Sequence, residues 1–269
     1  MTPAPLTIVV TGATDGLGKA LAGTLSRRPE LRLILHGRSS ERLEQLRDEL
    51  AHSPADIVTL RADLAELVQV RQLVDQISDI TDHVSVLVNN AGVSAAPDRQ
   101  VNADGHELSF AVNYLAPFAL TRGLLPQLKA GGPARVVNVA SLSQTPVDFD
   151  DFDLTRGYTP HRAYSTSKFA LVTAGMTFAE TLDPNVITIN SLHPGTYMPT
   201  KMLDRPELSI DTLETGVKST LRLILNPELL GVTGRFFDRT TDAHAHPDAY
   251  QRDLRDRLWD VSERLTASP

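Results

Sequence analysis

Two side chains with complementary proton chemistry stand four residues apart in this sequence, Tyr164 and Lys168. Residues at i and i+4 share one face of an α-helix, so the phenol and the ammonium should be neighbours. A phenol has a pKa of about 10 in water, and a nearby ammonium favours the phenolate. The pair is therefore predicted to work as a general acid and base near neutral pH. On an arbitrary helix the same two residues would belong to a solvated face.

The stretch 6–25, LTIVVTGATDGLGKALAGTL, predicts a strand, a glycine turn and a helix in that order. A helix N-terminus offers unpaired N–H groups and a partial positive charge, which suits a phosphate. Gly12 permits the tight turn, Gly16 lets the backbone approach a pyrophosphate, and Gly18 lets helix and strand pack closely. The spacing G-x-x-x-G-x-G differs from the common G-x-G-x-x-G fingerprint. By itself it also suits a glycine-rich surface turn.

Strand-like apolar runs alternate with helix-like segments along the chain, which predicts βαβ units and a parallel sheet. We predict an α/β fold of the Rossmann type: a doubly wound parallel sheet of about seven strands with helices on both faces. A single domain over 1–269 is expected, with a variable lid near 196–210 and a helical tail from about 247. The predicted strands are 6–10, 31–36, 57–60, 84–88, 135–139, 186–192 and 235–237.

The carboxyl ends of these strands should meet at one edge of the sheet, where ligands bind in such folds. That edge collects a glycine, charged groups, an amide and a hydroxyl from distant parts of the chain. The residues concerned are Gly12, Arg38, Asp63, Asn89, Ser141 and Pro194.

Composition excludes several classes of protein. The chain has 269 residues, a formal net charge of −7 and no cysteines, so disulfides and thiolate metal sites are excluded. A nucleic-acid partner would require a basic excess that is missing here. No apolar run approaches the ~20 residues of a membrane span, and no signal peptide is evident. We predict a cytoplasmic protein. We also predict no metal site, because the eight histidines do not have the spacing of metal ligands.

Taken together, these pieces resemble the short-chain dehydrogenase/reductase family in its single-domain Tyr-x-x-x-Lys form. The resemblance implies an oxidoreductase that moves hydride between a nicotinamide dinucleotide and a carbonyl/alcohol pair. Ser141 and Tyr164 are separated by 22 intervening residues, and an insert of this kind is similar to the retinol-dehydrogenase-like branch, which handles bulky apolar substrates. The matching pieces, in the order of the family, are Thr11-Gly12, Gly16, Gly18, Asp63-Leu64, Asn89-Asn90-Ala91-Gly92, Asn113, Ser141, Tyr164, Lys168 and Pro194-Gly195.

The resemblance implies four catalytic residues. Tyr164 is the acid and base, Ser141 orients the substrate oxygen, and Lys168 tunes Tyr164 and binds the nicotinamide ribose. Asn113 holds a water that relays protons towards Lys168. Two alternatives stay open from the residues alone: Asn113 as a buried amide that braces its helix, and Ser141 as an ordinary hydroxyl at a strand end.

The predicted cofactor is NADP(H), with NAD less suited. An NAD enzyme places an acid about 20 residues after the glycine turn, but here Arg38 stands there and can bind a 2′-phosphate. Asp15 opposes this choice, and Lys19 and Arg42 are expected to offset it. The alternative to phosphate binding is that Arg38 is a loop residue whose charge is solvated. The predicted cofactor residues are Gly12, Thr14, Asp15, Gly16, Leu17, Gly18, Arg38, Asp63, Leu64, Asn90, Ala91, Gly92, Tyr164, Lys168, Pro194, Gly195 and Thr196.

Several features allow two interpretations. The insert 142–163 either covers the pocket, with Phe149 or Phe152 facing substrate, or is an acidic surface loop. His193 is either a strand-end residue or a substrate contact. The resemblance implies a homodimer or homotetramer formed through the helices of Asn113 and Tyr164. Two other functions remain open: a non-redox dehydration, cyclisation or epimerisation on the same fold, and a dinucleotide-sensing regulatory protein.

Overall fold

A computed structural model describes residues 5–201 and 206–267 of the chain. Strands and helices alternate from β1 to β6, as the apolar pattern predicts. The strands are β1 Leu6–Val10, β2 Leu31–Gly37, β3 Asp56–Arg61, β4 Val86–Asn89, β5 Ala134–Val139, β6 Ile187–His193, β7 Phe236–Asp238 and β8 Thr241–Ala243. The helices are α1 Gly16–Leu25, α2 Ser40–Glu49, α3 Leu67–Ile80, α4 Leu108–Phe110, α5 Ala116–Gly123, α6 Leu125–Ala130, α7 Pro160–Thr181, α8 Leu213–Leu225 and α9 Arg252–Thr266.

All the described strands form one sheet in the order β3-β2-β1-β4-β5-β6-β7-β8. Every neighbouring pair is parallel except the β7–β8 hairpin at the edge. The strand order reverses between β1 and β4, which is where a doubly wound sheet opens a crevice at its carboxyl edge. The predicted Rossmann-type fold is confirmed, with eight strands in place of seven. Strand β8 escaped prediction because its three residues, Thr241–Ala243, are polar or small and largely exposed.

Helices cover both faces of the sheet, so the central strands are buried on both sides. Strand β1 shows this residue by residue, because alternate side chains of a strand point to opposite faces. Val9 belongs to the apolar core shared with α3, α5 and α7. Ile8 and Val10 belong to the second core, which includes residues of α1, α2 and α8.

The segment that holds Asn113 is not one continuous helix. The structure divides it into α4, a five-residue π-helical turn at Ala111–Leu115, then α5 and α6. Pro117 and Pro126 lie in the first turns of α5 and α6. A proline lacks the N–H of a continuous helix and favours a new helix start.

The lid predicted near 196–210 lies partly outside the described residues, because 202–205 are not described. The helical tail predicted from 247 consists of a 3-10 turn at Pro247–Tyr250 followed by α9. Trp259 of α9 packs against Phe118 of α5 and Phe178 of α7, with ring centroids 5.1 and 4.6 Å away. Within the described residues, no helix combines the length and apolar character that crossing a membrane requires.

Candidate functional site

The glycine turn after β1 is shaped by backbone conformations and contacts that only glycine allows. Gly12 and Gly16 have φ angles of +67° and +49°, in the region where side chains are strained. A Cβ on Gly12 would lie 2.8 Å from the Cα of Ala91, and one on Gly18 would lie 2.2 Å from the carbonyl oxygen of Gly12. The first and third glycines therefore allow β1, α1 and the end of β4 to touch.

The segment after β4 is fastened to this turn by polar groups. Asn90 donates from its side-chain amide to the Thr11 carbonyl at 2.8 Å, and the Ala91 N–H donates to the Thr11 hydroxyl at 3.0 Å. Asn89 has a different role, because its buried amide donates to Thr121 at 3.1 Å and to Asn138 at 2.9 Å. Asn89 is thus a brace between the central strands and neighbouring α5, while Asn90 and Ala91 border the crevice.

His36 at the end of β2 also supports the glycine turn, and the sequence analysis did not select it. Its Nδ1 accepts from the Gly12 N–H at 3.3 Å, and its Nε2 lies 3.0 Å from the Ala62 carbonyl oxygen. The Ala13 N–H donates to the His36 carbonyl at 2.8 Å. Burial of the ring lowers the pKa of His36, so the neutral form is favoured. The available signal was a polar residue at the end of an apolar strand.

The predicted 2′-phosphate site lies at the start of α2. Arg38 is exposed, and within the part of the chain that is described it forms no ion pair. Ser39 caps α2 by accepting from the N–H of Arg42 at 3.4 Å. The fold therefore leaves the Arg38 guanidinium available for an anion beside a helix N-terminus, the arrangement that a phosphate favours.

Asp15, which the sequence analysis counted against NADP(H), is neutralised by cations. Its carboxylate pairs with Arg42 at 3.2 Å and with Lys201 at 2.7 Å. The hydrogen bond from Lys201 contributes most to holding the pKa of Asp15 below its usual value. Lys19 was expected to offset the negative charge of Asp15. That expectation is wrong, because Lys19 pairs with Glu49 at 2.7 Å instead. Lys201 was missed because no sequence pattern connects it with the glycine turn.

Asp63 and Leu64 follow β3, at the adenine side predicted from the resemblance. The Asp63 carboxylate accepts from the N–H of Ala65 at 3.0 Å, and its own N–H donates to Gln69 at 2.8 Å. Leu64 is buried in the core next to Leu67. These contacts fix the loop that follows β3 and leave Asp63 partly accessible.

The predicted catalytic side chains come together at the carboxyl end of β5. The side chain of Ser141 lies beside the Tyr164 hydroxyl, where hydrogen bonding from it acts to lower the pKa of the phenol. The ammonium of Lys168 lies 5.7 Å from the centre of the Tyr164 ring. It donates to the carbonyl of Val139, the last residue of β5, at 2.9 Å. One strand end and one helix face therefore gather the hydroxyl, the phenol and the amine.

The electrostatics of this group differ from the simple expectation for a phenol beside an ammonium. Burial raises the pKa of Tyr164, and the hydrogen bond from Ser141 acts in the opposite direction. Burial also lowers the pKa of Lys168 to about 8. Desolvation therefore opposes the predicted lowering of the phenol pKa, and the Lys168 ammonium is engaged by the Val139 carbonyl. An added positive charge near the phenol would oppose the rise.

Asn113 lies in the π-helical turn and is fully buried. Its amide oxygen accepts from the Val93 N–H at 2.8 Å, and its nitrogen donates to the Val93 carbonyl and to Ser167, both at 3.0 Å. A Cβ on Gly92 would lie 3.3 Å from that oxygen and 3.5 Å from the Lys168 nitrogen. The amide thus fastens the loop after β4 to the π-helical turn, and it does so beside Lys168.

The segment Pro194-Gly195-Thr196 after β6 is fixed by a charged network. The Thr196 N–H donates to Asp211 at 2.7 Å, and the Thr196 hydroxyl accepts from Arg239 at 3.1 Å. Arg239 forms an ion pair with Asp211. His193 contacts the same hydroxyl at 3.0 Å, and burial lowers its pKa. The side chain of Thr196 is therefore engaged within the protein, while Pro194 and Gly195 border the crevice.

Both phenylalanines of the insert 142–163 pack against other parts of the protein. Phe152 packs 5.9 Å from the Phe110 ring, and the Phe149 ring lies 4.4 Å below the Arg257 guanidinium of α9. Asp153 accepts from the Glu107 N–H at 3.0 Å. The insert therefore fastens the loop that precedes α4, and its phenylalanines pack on the protein core.

A chain of two hydrogen bonds connects the C-terminal part of the protein to the backbone of Ser141. Gln144 donates from its amide nitrogen to the Ser141 carbonyl at 2.8 Å. Its amide oxygen accepts from the His246 N–H at 2.9 Å. On the open side, the Ser143 hydroxyl contacts His161, which lies one turn before Tyr164 on α7, at 3.1 Å.

Metal chemistry finds no support in the part of the chain that is described. No group of three or more histidine, cysteine or carboxylate side chains in residues 5–201 and 206–267 could hold a metal ion. His246 instead meets Phe169 and Asp248.

Comparisons with known proteins show which families and folds this chain is similar to. A family model described as short chain dehydrogenase matches residues 6–208. Human retinol dehydrogenase 13 is 32% identical over 279 residues, which cover 96% of this chain and 84% of that protein. Human polyprenol dehydrogenase is 29% identical, with coverage of 96% and 84%. The crystal structure of NADPH-bound carbonyl reductase from chicken fatty liver shares the fold, with a TM-score of 0.71, 21% identity and coverage of 90% and 99%.

The chain therefore belongs to the short-chain dehydrogenase family, as the resemblance predicted. Within that family it falls in the branch similar to retinol dehydrogenases. It is accordingly an oxidoreductase that acts on carbonyl and alcohol groups.

Proposed function

We propose that this protein interconverts a carbonyl and an alcohol on a bulky, largely apolar small molecule, with NADP(H) as the cofactor and Tyr164 as the acid and base. The observation that carries the proposal is that Ser141 and the Lys168 ammonium both lie beside the Tyr164 phenol, at the sheet edge that also holds the glycine turn. The glycine turn suits a dinucleotide, because Gly12 and Gly18 let β1, α1 and the end of β4 pack closely and the turn leads into a helix N-terminus, where a phosphate is favoured.

A nicotinamide dinucleotide bound in the crevice supplies the hydride for reduction or accepts it in oxidation. In reduction, the Tyr164 hydroxyl gives its proton to the substrate oxygen, which Ser141 orients by a hydrogen bond. Lys168 binds ribose hydroxyls and places a positive charge near the phenol, which favours the phenolate. The predicted proton relay through Asn113 would reach Lys168 past Gly92, which lies between them.

The preference for NADP(H) is supported by Arg38 and Arg42. Arg38 is exposed beside the start of α2, and Arg42 is held there by Asp15 at 3.2 Å. Two guanidinium groups can bind a 2′-phosphate, whereas the 2′-hydroxyl of NAD(H) gains nothing from them. The remaining cofactor contacts that we propose are those predicted from the sequence. For Thr196 we propose a contact that does not use its hydroxyl, because His193 and Arg239 already bind that group.

The apolar substrate is supported by the surface around the catalytic residues and by the relatives. Leu142, Tyr197 and Ile210 are large apolar side chains near this edge, each at least 49% exposed. The relatives include proteins named retinol dehydrogenase and polyprenol dehydrogenase, and both names refer to long apolar alcohols. Ser143 and His161 add a polar pair on the open side.

The decisive experiment combines binding and turnover. Tyr164→Phe should bind NADPH as the natural protein does and lose nearly all turnover with an apolar ketone, since only the hydroxyl is removed. Arg38→Gln should weaken NADPH about tenfold, the loss of one charge-assisted contact, and leave NADH unchanged. Normal turnover of Tyr164→Phe would contradict the mechanism, and tighter binding of NADH than NADPH would contradict the cofactor. Conversion of substrate without any change in NADPH absorbance would favour a non-redox reaction.

We also propose that 1–269 work as one domain, that 196–210 act as a lid, and that the protein is cytoplasmic and forms a homodimer or homotetramer. Lys201 supports the lid, because it reaches Asp15 across the crevice. Helix α9 packs on α5 and α7, so a subunit contact on that face would include α9. Light scattering of the purified protein measures the oligomeric state.

A further inference from the structure

His36 joins three strand ends at the dinucleotide crevice although it lies outside the catalytic group. It stands at the end of β2, its side chain is 2% exposed, and it bonds the turn after β1 and the end of β3. Within the described residues, it is the side chain that accepts the Gly12 N–H. That N–H belongs to a glycine at φ +67°, in the middle of the turn.

The two bonds fix the protonation state of the ring. An N–H donates and a carbonyl oxygen accepts, so Nδ1 carries no proton and Nε2 carries one. The His36 ring can therefore form both hydrogen bonds only as the neutral tautomer with its proton on Nε2. A proton on Nδ1 would face the Gly12 N–H, so two donors would meet in a buried space. Such a contact removes the hydrogen bond and adds repulsion.

The surroundings define what acts on this proton. The turn after β1 meets the ring through the Gly12 N–H, and the end of β3 meets it through the Ala62 carbonyl. Burial acts most strongly and disfavours the protonated ring, whereas the hydrogen bond to Ala62 and the charge of Asp63 favour it. The bond to Gly12 and burial thus both hold the ring neutral against the pull of Asp63.

We propose that His36 is a positioning residue for dinucleotide binding: its neutral ring holds the glycine turn open for the pyrophosphate, and its protonation releases the turn and weakens the cofactor. This rests on the proposed function, since it presumes that the crevice takes a nicotinamide dinucleotide. The mechanism needs no contact between His36 and the cofactor. Because the Gly12 and Ala13 N–H groups are both used by His36, the phosphate donors must come from later residues of the turn.

Two substitutions separate the two bonds of the ring. His36→Asn keeps an acceptor near the place of Nδ1 and cannot titrate, so it should bind NADPH within about threefold of the natural protein at pH 8. His36→Gln keeps a donor near the place of Nε2 but offers Gly12 no acceptor, so it should bind about tenfold more weakly at that pH. One lost factor of ten corresponds to one missing hydrogen bond in a buried site. His52→Gln is the matched control, because His52 is exposed and remote from the turn.

The measurement is isothermal titration of NADPH and of NADH between pH 8 and pH 5. The natural protein and His52→Gln should lose affinity together at acid pH, and His36→Asn should keep it. Ring-nitrogen shifts of His36 in the free, ¹⁵N-labelled protein should show the Nε2–H form, and the Gly12 amide should exchange faster in His36→Gln. Thermal melting establishes that each variant folds; if His36→Gln does not, the pH profile of His36→Asn decides.

Equal NADPH affinity of His36→Gln and the natural protein would overturn the inference, as would an acid loss that persists in His36→Asn. A proton on Nδ1 at pH 8 would overturn it as well. Failure of the natural protein to bind either dinucleotide refutes the proposed function and this inference with it. Binding by the natural protein with no effect of either variant refutes this inference alone.

Discussion

Helix α1 contains two glycines with different surroundings, Gly18 and Gly23, and this difference yields a quantitative prediction. A Cβ on Gly18 would lie 2.2 Å from the Gly12 oxygen and 2.5 Å from the Asn90 amide nitrogen. A Cβ on Gly23, in the same helix, would meet nothing within 4 Å. The substitutions Gly18→Ala and Gly23→Ala therefore change the same helix by the same methyl group and differ only in what that group touches.

Gly23→Ala should raise the free energy of unfolding by about 1 kcal/mol, the difference in helix propensity between the two residues. Gly18→Ala gains the same propensity, but its methyl group must push the Gly12 carbonyl away by about 1 Å. Overpacking of a close-packed contact costs about 1–3 kcal/mol. The two variants should therefore differ by about 2 kcal/mol in stability. Gly18→Ala should also weaken NADPH, because the shift moves the turn, whereas Gly23→Ala should leave it unchanged.

Urea unfolding followed by circular dichroism measures the stability of both variants, with equal m values as the check that the same transition is compared. Titration of NADPH measures the affinity of each. A stability for Gly18→Ala equal to that of Gly23→Ala would refute the close approach of α1 to the turn. Equal NADPH affinity with reduced stability would show that the turn tolerates the shift.

Two further results are expected. Asp211→Asn removes the carboxylate that accepts from Thr196 and pairs with Arg239, and should cost about 2 kcal/mol of unfolding free energy at pH 7. The pKa of Asp211 is lowered in the fold, chiefly by Arg239, so its contribution is complete above the unfolded value of about 4. Urea unfolding should therefore show the difference shrinking as the pH falls below 4; a constant difference would contradict the ion pair. Trp259→Ala removes two aromatic pairs and should cost about 2 kcal/mol at about 1 kcal/mol each; a loss below 0.5 kcal/mol by the same assay would contradict the packing of α9.

The parts that could be predicted from sequence are those in which a local pattern carries a physical requirement. The alternation of apolar strands with helices predicted the parallel sheet. The rule that the carboxyl ends of parallel strands meet at one edge placed Gly12 and Ser141 together. The helical spacing of Tyr164 and Lys168 needed no knowledge of distant residues. These elements follow from periods that can be counted along the chain.

The parts that could not be predicted depend on contacts between distant residues. Lys201 pairs with Asp15 and Arg239 pairs with Asp211, and neither pair leaves a pattern in the sequence. The desolvation that raises the pKa of Tyr164 could not be predicted either, because a count of neighbouring charges omits burial. His36 was missed because a single polar residue at a strand end has no spacing to match.

The hydrogen bond from the His246 N–H to Gln144 joins the part of the chain that the family model matches to the part that follows it. The family model ends at residue 208, yet the carbonyl of Ser141 is held by a side chain whose other end is anchored at residue 246. A change of sequence around residue 246 would therefore shift the backbone of Ser141 without altering any of the matched motif residues. If Ser141 orients the substrate as proposed, exchange of the tail would let substrate choice evolve by this route.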